Sequence, residues 1–201
     1  MLTTMQTTHW TKGMSELTVY GEAREFARGC TSARTAWNQA AHAGWLVYFA
    51  GMLLPAGTLL PVVLELVQAM VDANAFADRA AAERVTQTVG WVVDGEDASD
   101  AIEAMTHLAR TGTSQQNSAY DALAALVSLA IGGHDAKTAA RLAADCVDHV
   151  AVVMESDAAE RAGARANDDA AHAQREMAEV VRASVAWDAV GSAVTAFAAA
   201  A

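Results

Sequence analysis

Apolar residues recur at spacings of three and four along most of this chain, the pattern of helices that each bury one stripe. Ser15 can cap a first helix over roughly 16–28, which Gly29 ends. Thr31 or Ser32 opens a second helix running to about Leu54, with Trp37, Ala41, Gly44/Trp45, Tyr48 and Met52 on one face. Gly44, among large residues, fits a close helix crossing or a plain flexible point equally well. After a turn at Pro55–Thr58, a third helix runs through Leu60, Val63/Leu64, Val67 and Met70/Val71. It pauses near Asn74 and resumes through Val85, Val89 and Val92/Val93 as far as Asp94-Gly95. Asp97 caps a short helix that turns Ile102, Met105 and Ala109 inward. The polar stretch Thr111–Asn117 is the best boundary in the chain. Beyond it, Tyr120, Leu123, Val127 and Ile131 form a stripe closed by Gly132-Gly133, and Asp135 restarts a helix through Leu142, Cys146, Val150 and Val153. The remainder, about 156–199, reads as one long helix or two with a break near Gly163, apolar again through Trp187, Val190, Val194 and Phe197. The expected fold is therefore all-α, an alanine-rich multi-helix bundle of about six to eight helices. Residues 1–14 form a flexible tail and 15–201 one helical domain, with 111–117 as its point of subdivision.

Composition sharpens this picture. Hydrophobic residues make up 53% of the chain but aromatics only 6%, and alanine accounts for much of the difference. Alanine loses no side-chain entropy in a helix but gains little on burial, so the five Trp and the Leu, Val and Met positions must anchor the core. Gly44–Leu64 carries no charge and has the length of a membrane span. Both prolines of the chain fall inside it, and Lys or Arg anchors are missing from its flanks. A buried helix, a turn and a second buried helix explain it better, so no membrane association is expected. Cys30 and Cys146 make neither a disulfide framework nor a zinc site, and the N-terminus has no signal-peptide pattern, which together point to the cytoplasm. The net charge of −11 disfavours nucleic acid and anionic membranes and suits a basic protein partner.

Three groups of polar residues could carry chemistry. In Asp145-Cys146-Val147-Asp148-His149, Asp145 and His149 share a helix face as two metal ligands would, and Cys146 and His149 are spaced for a thiol–imidazole pair. No matching motif completes a metal site, so an amphipathic helix with a buried thiol is expected. Asp168, Asp169, His172 and Glu176 also share helical spacing, but no Glu-x-x-His accompanies them and a solvated face is expected. Asp94, Glu96, Asp97, Asp100 and Glu103 form an acidic cluster with no basic residue before Arg110. Its spacing is wrong for a calcium loop, while capping and the helix dipole explain acids at a helix start. What is left over is an exposed acidic patch, the candidate partner-binding surface. Phosphate-binding, nucleophile-elbow, dinucleotide and zinc-protease motifs are all missing, so no catalytic residue and no cofactor is assigned.

Three stretches together carry a resemblance. They are Ser32–Trp37 followed by Ala43-Gly44-Trp45-Leu46-Val47-Tyr48-Phe49-Ala50-Gly51, then Val89-Gly90-Trp91-Val92-Val93-Asp94-Gly95-Glu96-Asp97, and the alanine-rich C-terminal half. In that order they resemble the bacterial immunity proteins associated with polymorphic toxin systems. Ala43 and Gly44 depart from the Gly-Asp that family often places before its tryptophan. The resemblance implies an all-helical fold and neutralisation of a toxin by binding. The expected function is a non-enzymatic, immunity-like inhibitory protein that meets a basic partner, such as a toxin or nuclease, through its acidic surface. Two alternatives stand beside it. One is a self-associating structural or assembly protein of a phage or bacterial complex, driven by the Gly44–Leu64 hairpin and the Trp187–Phe197 stripe. The other is a helical metal-dependent hydrolase, which requires Asp145/His149 and Asp168/His172 to converge.

Overall fold

Local signals set several of the helix boundaries. In the computed structural model, which describes residues 21–73, 76, 78–93, 99–111, 117–162 and 166–200, the first helix is α1, Gly21–Gly29. Ser32 then caps α2, Ala33–Gln39, its hydroxyl accepting the Thr35 N–H at 3.1 Å. Next comes α3, Ala43–Leu53, and a single 3-10 turn at Ala56–Thr58 leads into α4, Leu60–Asp72, with Pro61 in its first turn. Asp78 accepts the Ala81 N–H at 3.0 Å and so starts α5, Arg79–Val93. The next two helices are α6, Ser99–Thr111, and α7, Asn117–Ile131. Gly132 and Gly133 follow with φ of 74° and 77°, a left-handed ending that glycine adopts without strain. Asp135 accepts the Thr138 N–H at 2.7 Å and opens α8, Ala136–Ala162. The last two helices are α9, Ala166–Ser184, and α10, Trp187–Ala200.

The described residues thus form ten helices and no strand, all-α as expected but with more helices than six to eight. The difference comes from two breaks. The helix expected from Ser32 to Leu54 stops at Gln39 and restarts at Ala43, and the C-terminal segment breaks again at Val185-Ala186. No helix among the described residues is long and apolar enough to cross a membrane. The predicted tail and the centre of the 111–117 stretch lie outside the described residues, and α5 and α6, before that stretch, pack on α7 after it.

The long helix α8 is the hub, with α3, α4, α7 and α9 laid against it. Its inward face is small: Ala139, Ala140, Ala143, Ala144, Val147 and Ala151 are all buried. Neighbouring helices supply the bulk, including Leu46, Tyr48 and Phe49 from α3, Met70 from α4, and Leu123 and Leu126 from α7. Each such side chain stabilises the fold by about 1.5–3 kcal/mol on burial. At Gly44 the close crossing is the reading that holds, and it is joined by a second. A Cβ on Gly51 would lie 2.7 Å from Ala140 Cβ, and one on Gly44 would lie against the Asp148 side chain. The order of these contacts makes α3 and α8 antiparallel, with glycine at both crossings.

On α6 the inward face differs from expectation at one position. Met105 packs against the core as expected, beside buried Ala101, Ala104 and Leu108, whereas Ile102 is 46% exposed and the Ala109 side chain lies outside the described residues. The small residues let α6 sit close to α5, which rotates the bulkier Ile102 into solvent.

Candidate functional site

The break between α2 and α3 is held open by side chains of α9. Arg182 donates through Nε to the Trp37 carbonyl at 3.0 Å and through a terminal nitrogen to the Ala40 carbonyl, taking up the end of α2. Gln174 accepts the Ala43 N–H at 3.0 Å, taking up the first donor of α3. Gln174 also hydrogen bonds to Asp148 on α8, so one side chain ties three helices together.

The break brings His42 to face Asp148, with Nδ1 3.5 Å from Oδ1. Neither atom has a hydrogen-bond partner among the described residues. The carboxylate rests where a Cβ of Gly44 would be, 2.1 Å from Oδ1, beside the N-terminal end of α3. That end of the helix dipole favours an anion there. Burial, and then the nearby Asp145, push the Asp148 carboxyl up to about 7, against the opposing hydrogen bond from Gln174. Burial pushes the His42 imidazole down, with Glu22 acting the other way. The imidazole stacks on Trp45 with centroids 5.0 Å apart and planes 11° apart, and Phe26 of α1 lies 5.5 Å from Trp45. Together Phe26, His42, Trp45, Glu155, Gln174 and Arg175 line a largely apolar cleft of about 460 Å³. A broader depression of about 720 Å³ lies on α10, and among the described residues only that helix, from Trp187 to Ala196, lines it.

Of the predicted acidic surface, Asp94, Glu96 and Asp97 lie outside the described residues. Asp100 and Glu103 are exposed on α6 and share a polar cleft of about 360 Å³ with Arg84 of α5 and with His107. His107 in turn lies 3.1 Å from Asp78. Basic groups therefore stand beside part of the acidic patch. The same helix pair leaves large apolar side chains in solvent: Trp91 and Val93 at the end of α5, and Ile102 near the start of α6.

Neither of the other two groups comes together as a site among the described residues. Cys146 is buried and donates its Sγ–H to the Ala122 carbonyl at 3.1 Å, so its thiol is engaged with α7 rather than with His149, and burial pushes its pKa far up. Asp145 has Arg141 4.0 Å away along the same helix. His172 and Glu176 form an exposed pair at 3.1 Å on α9, while the Asp168 and Asp169 side chains lie outside the described residues. No group of three or more His, Cys, Asp or Glu that could hold a metal ion occurs among the described residues. Sequence reasoning missed His42 and Gln174, which belong to no motif. A lone histidine just before an uncharged run was the signal that could have found the first.

No family model matches the chain, and no curated protein or solved structure matches it.

Proposed function

We propose that this chain is a non-enzymatic binding protein that inhibits a basic protein partner, with the α5–α6 pair as its contact surface. The observation that carries the reading is the pairing of exposed Trp91, Val93 and Ile102 with the acids Asp100 and Glu103 on one helix pair. An exposed tryptophan is the kind of anchor on which binding energy concentrates, and charge on the same helix pair selects and steers the partner. The segment between the helices adds Asp94, Glu96 and Asp97 to the same stretch of sequence. The net charge of −11 and the resemblance to bacterial immunity proteins support the same reading. In this reading Trp91 supplies apolar contact area and the acids speed encounter with a basic surface.

The test is binding by the full chain and by two variants, Trp91→Ala and the charge reversal of Asp97, Asp100 and Glu103 to Lys. The reading requires both to lose the partner while circular dichroism stays unchanged. Retention of the partner by the charge-reversed chain would reject the acidic surface. A dimer mass by light scattering, lost in Trp91→Ala, would assign the surface to self-association instead.

A further inference from the structure

The cleft at the α2–α3 break has the chemistry of a ligand site, and this argument is independent of the α5–α6 surface. Its volume of about 460 Å³ falls within the roughly 300–1,000 Å³ of small-molecule sites. Its walls are aromatic: Trp45 stacks on His42 and lies tilted against Phe26, and all three rings line the cleft. Among the described residues it holds carboxylates, Glu155 on the wall and Asp148 behind His42, beside one arginine at the rim. Glu155 reaches the wall, and burial raises its carboxyl. Behind His42, Asp148 Oδ1 is buried with no hydrogen-bond partner among the described residues. The charges that act on His42 and Asp148 are carboxylates, Glu22 from α1 and Asp145 and Glu155 from α8. Arg175 of α9 stands exposed on the rim.

We infer that this cleft binds a small organic cation with an aromatic body, its ring packed against Trp45 and Phe26 and its ammonium directed to Glu155. Aromatic faces attract cations through their quadrupole, and a desolvated carboxylate gains most from an incoming positive charge. Gln174 and the glycine at position 44 keep the Asp148 carboxylate behind the imidazole, where it adds to the negative field. A neutral His42 adds no positive charge against that field, which leaves Arg175 at the rim as the described cation on the cleft.

The experiment is isothermal titration of the full chain with three probes sharing one ring: tryptamine, neutral 3-methylindole and anionic indole-3-propionate. At about pH 7.5, tryptamine should bind one-to-one and at least about tenfold more tightly than either other probe. Glu155→Gln should weaken tryptamine about tenfold and leave 3-methylindole unchanged. Lowering the pH to about 5.5 should weaken tryptamine further, because Asp148 takes up a proton and His42 begins to gain charge. The probe comparison on the unaltered chain does not depend on any variant folding. Equal binding of the three probes, no binding of tryptamine at about 10 mM, tighter binding at the lower pH, or a folded Glu155→Gln chain with unchanged affinity would each overturn the inference.

Discussion

Asp148 shows how one residue can be both well placed and costly. Its carboxyl lies at the N-terminal end of α3 and takes a hydrogen bond from Gln174, yet burial and Asp145 hold it at about 7 against an ordinary 3.8. Between those two values the folded chain keeps a proton that the unfolded chain has released, so stability falls as pH rises through that window. His42 has the opposite sign: its folded value lies below the ordinary 6.5, so its contribution is lost as pH falls through that region. Urea denaturation should therefore find greater stability at about pH 6.5 than at about pH 8, and Asp148→Asn should flatten that difference and stabilise the chain by about 1–2 kcal/mol at the higher pH. A wild-type chain that is more stable at the higher pH would contradict this. Gly44→Ala tests the same contact from the other side. Its Cβ would lie 2.1 Å from Oδ1, so the carboxylate must move and give up Gln174. The expected loss is about 1–3 kcal/mol, and the Asp148 titration, followed by NMR, should move down toward the ordinary carboxylate range. This site was hardly legible in the sequence because its contacts are long-range. Ala43 and Gln174 are 131 residues apart, and nothing near His42 announces either partner.

Elements were legible where their boundaries are local. Ser32, Asp135 and the Gly132-Gly133 pair each act through the backbone within a few residues, and the expectation at each matches the structure. The α2–α3 break is different in kind. Its sequence, Ala40-Ala41-His42, contains no helix breaker, and the free carbonyls of Trp37 and Ala40 are taken up by Arg182 from a distant helix. Arg182→Met keeps the apolar stem but leaves those carbonyls without their donor, and should cost about 1.5–3 kcal/mol in chemical denaturation. Lys should rescue it only in part, because a single ammonium cannot reproduce the planar fork. Gly51 makes the complementary case at the α3–α8 crossing. A Cβ there would meet Ala140 Cβ at 2.7 Å and Ala140 Cα at 2.8 Å, and a helix backbone cannot swing aside as a side chain can. Gly51→Ala should destabilise by about 1–3 kcal/mol despite alanine's better helix propensity. Unchanged stability would mean that the two helices are free to separate. The facing of Ile102 on α6 escaped the periodicity because alanines satisfy either register, and close packing chose Ala101, Ala104 and Leu108 over Ile102.

At the scale of the molecule, the small residues of α8 let four helices pack around one, and that arrangement produces both surfaces of interest. On one side it sets α3 and α9 around Asp148 and leaves the aromatic cleft; on another it carries α5 and α6 on α4 and α7, with Trp91, Val93 and Ile102 in solvent. The acidic character of the α5–α6 stretch was legible from charge, but its apolar component was not, since Ile102 reads as a core position by its spacing. The central claim is that this mixed acidic and apolar surface binds a basic protein. Its most direct test is an affinity pull-down from native host lysate, read by mass spectrometry, with the wild-type chain beside Trp91→Ala combined with Asp100→Lys and Glu103→Lys. The account predicts a stoichiometric basic partner on the wild-type chain, released by salt at about 0.5 M and missing from the variant. A partner held equally by both chains, or recovery of this chain alone, would contradict it.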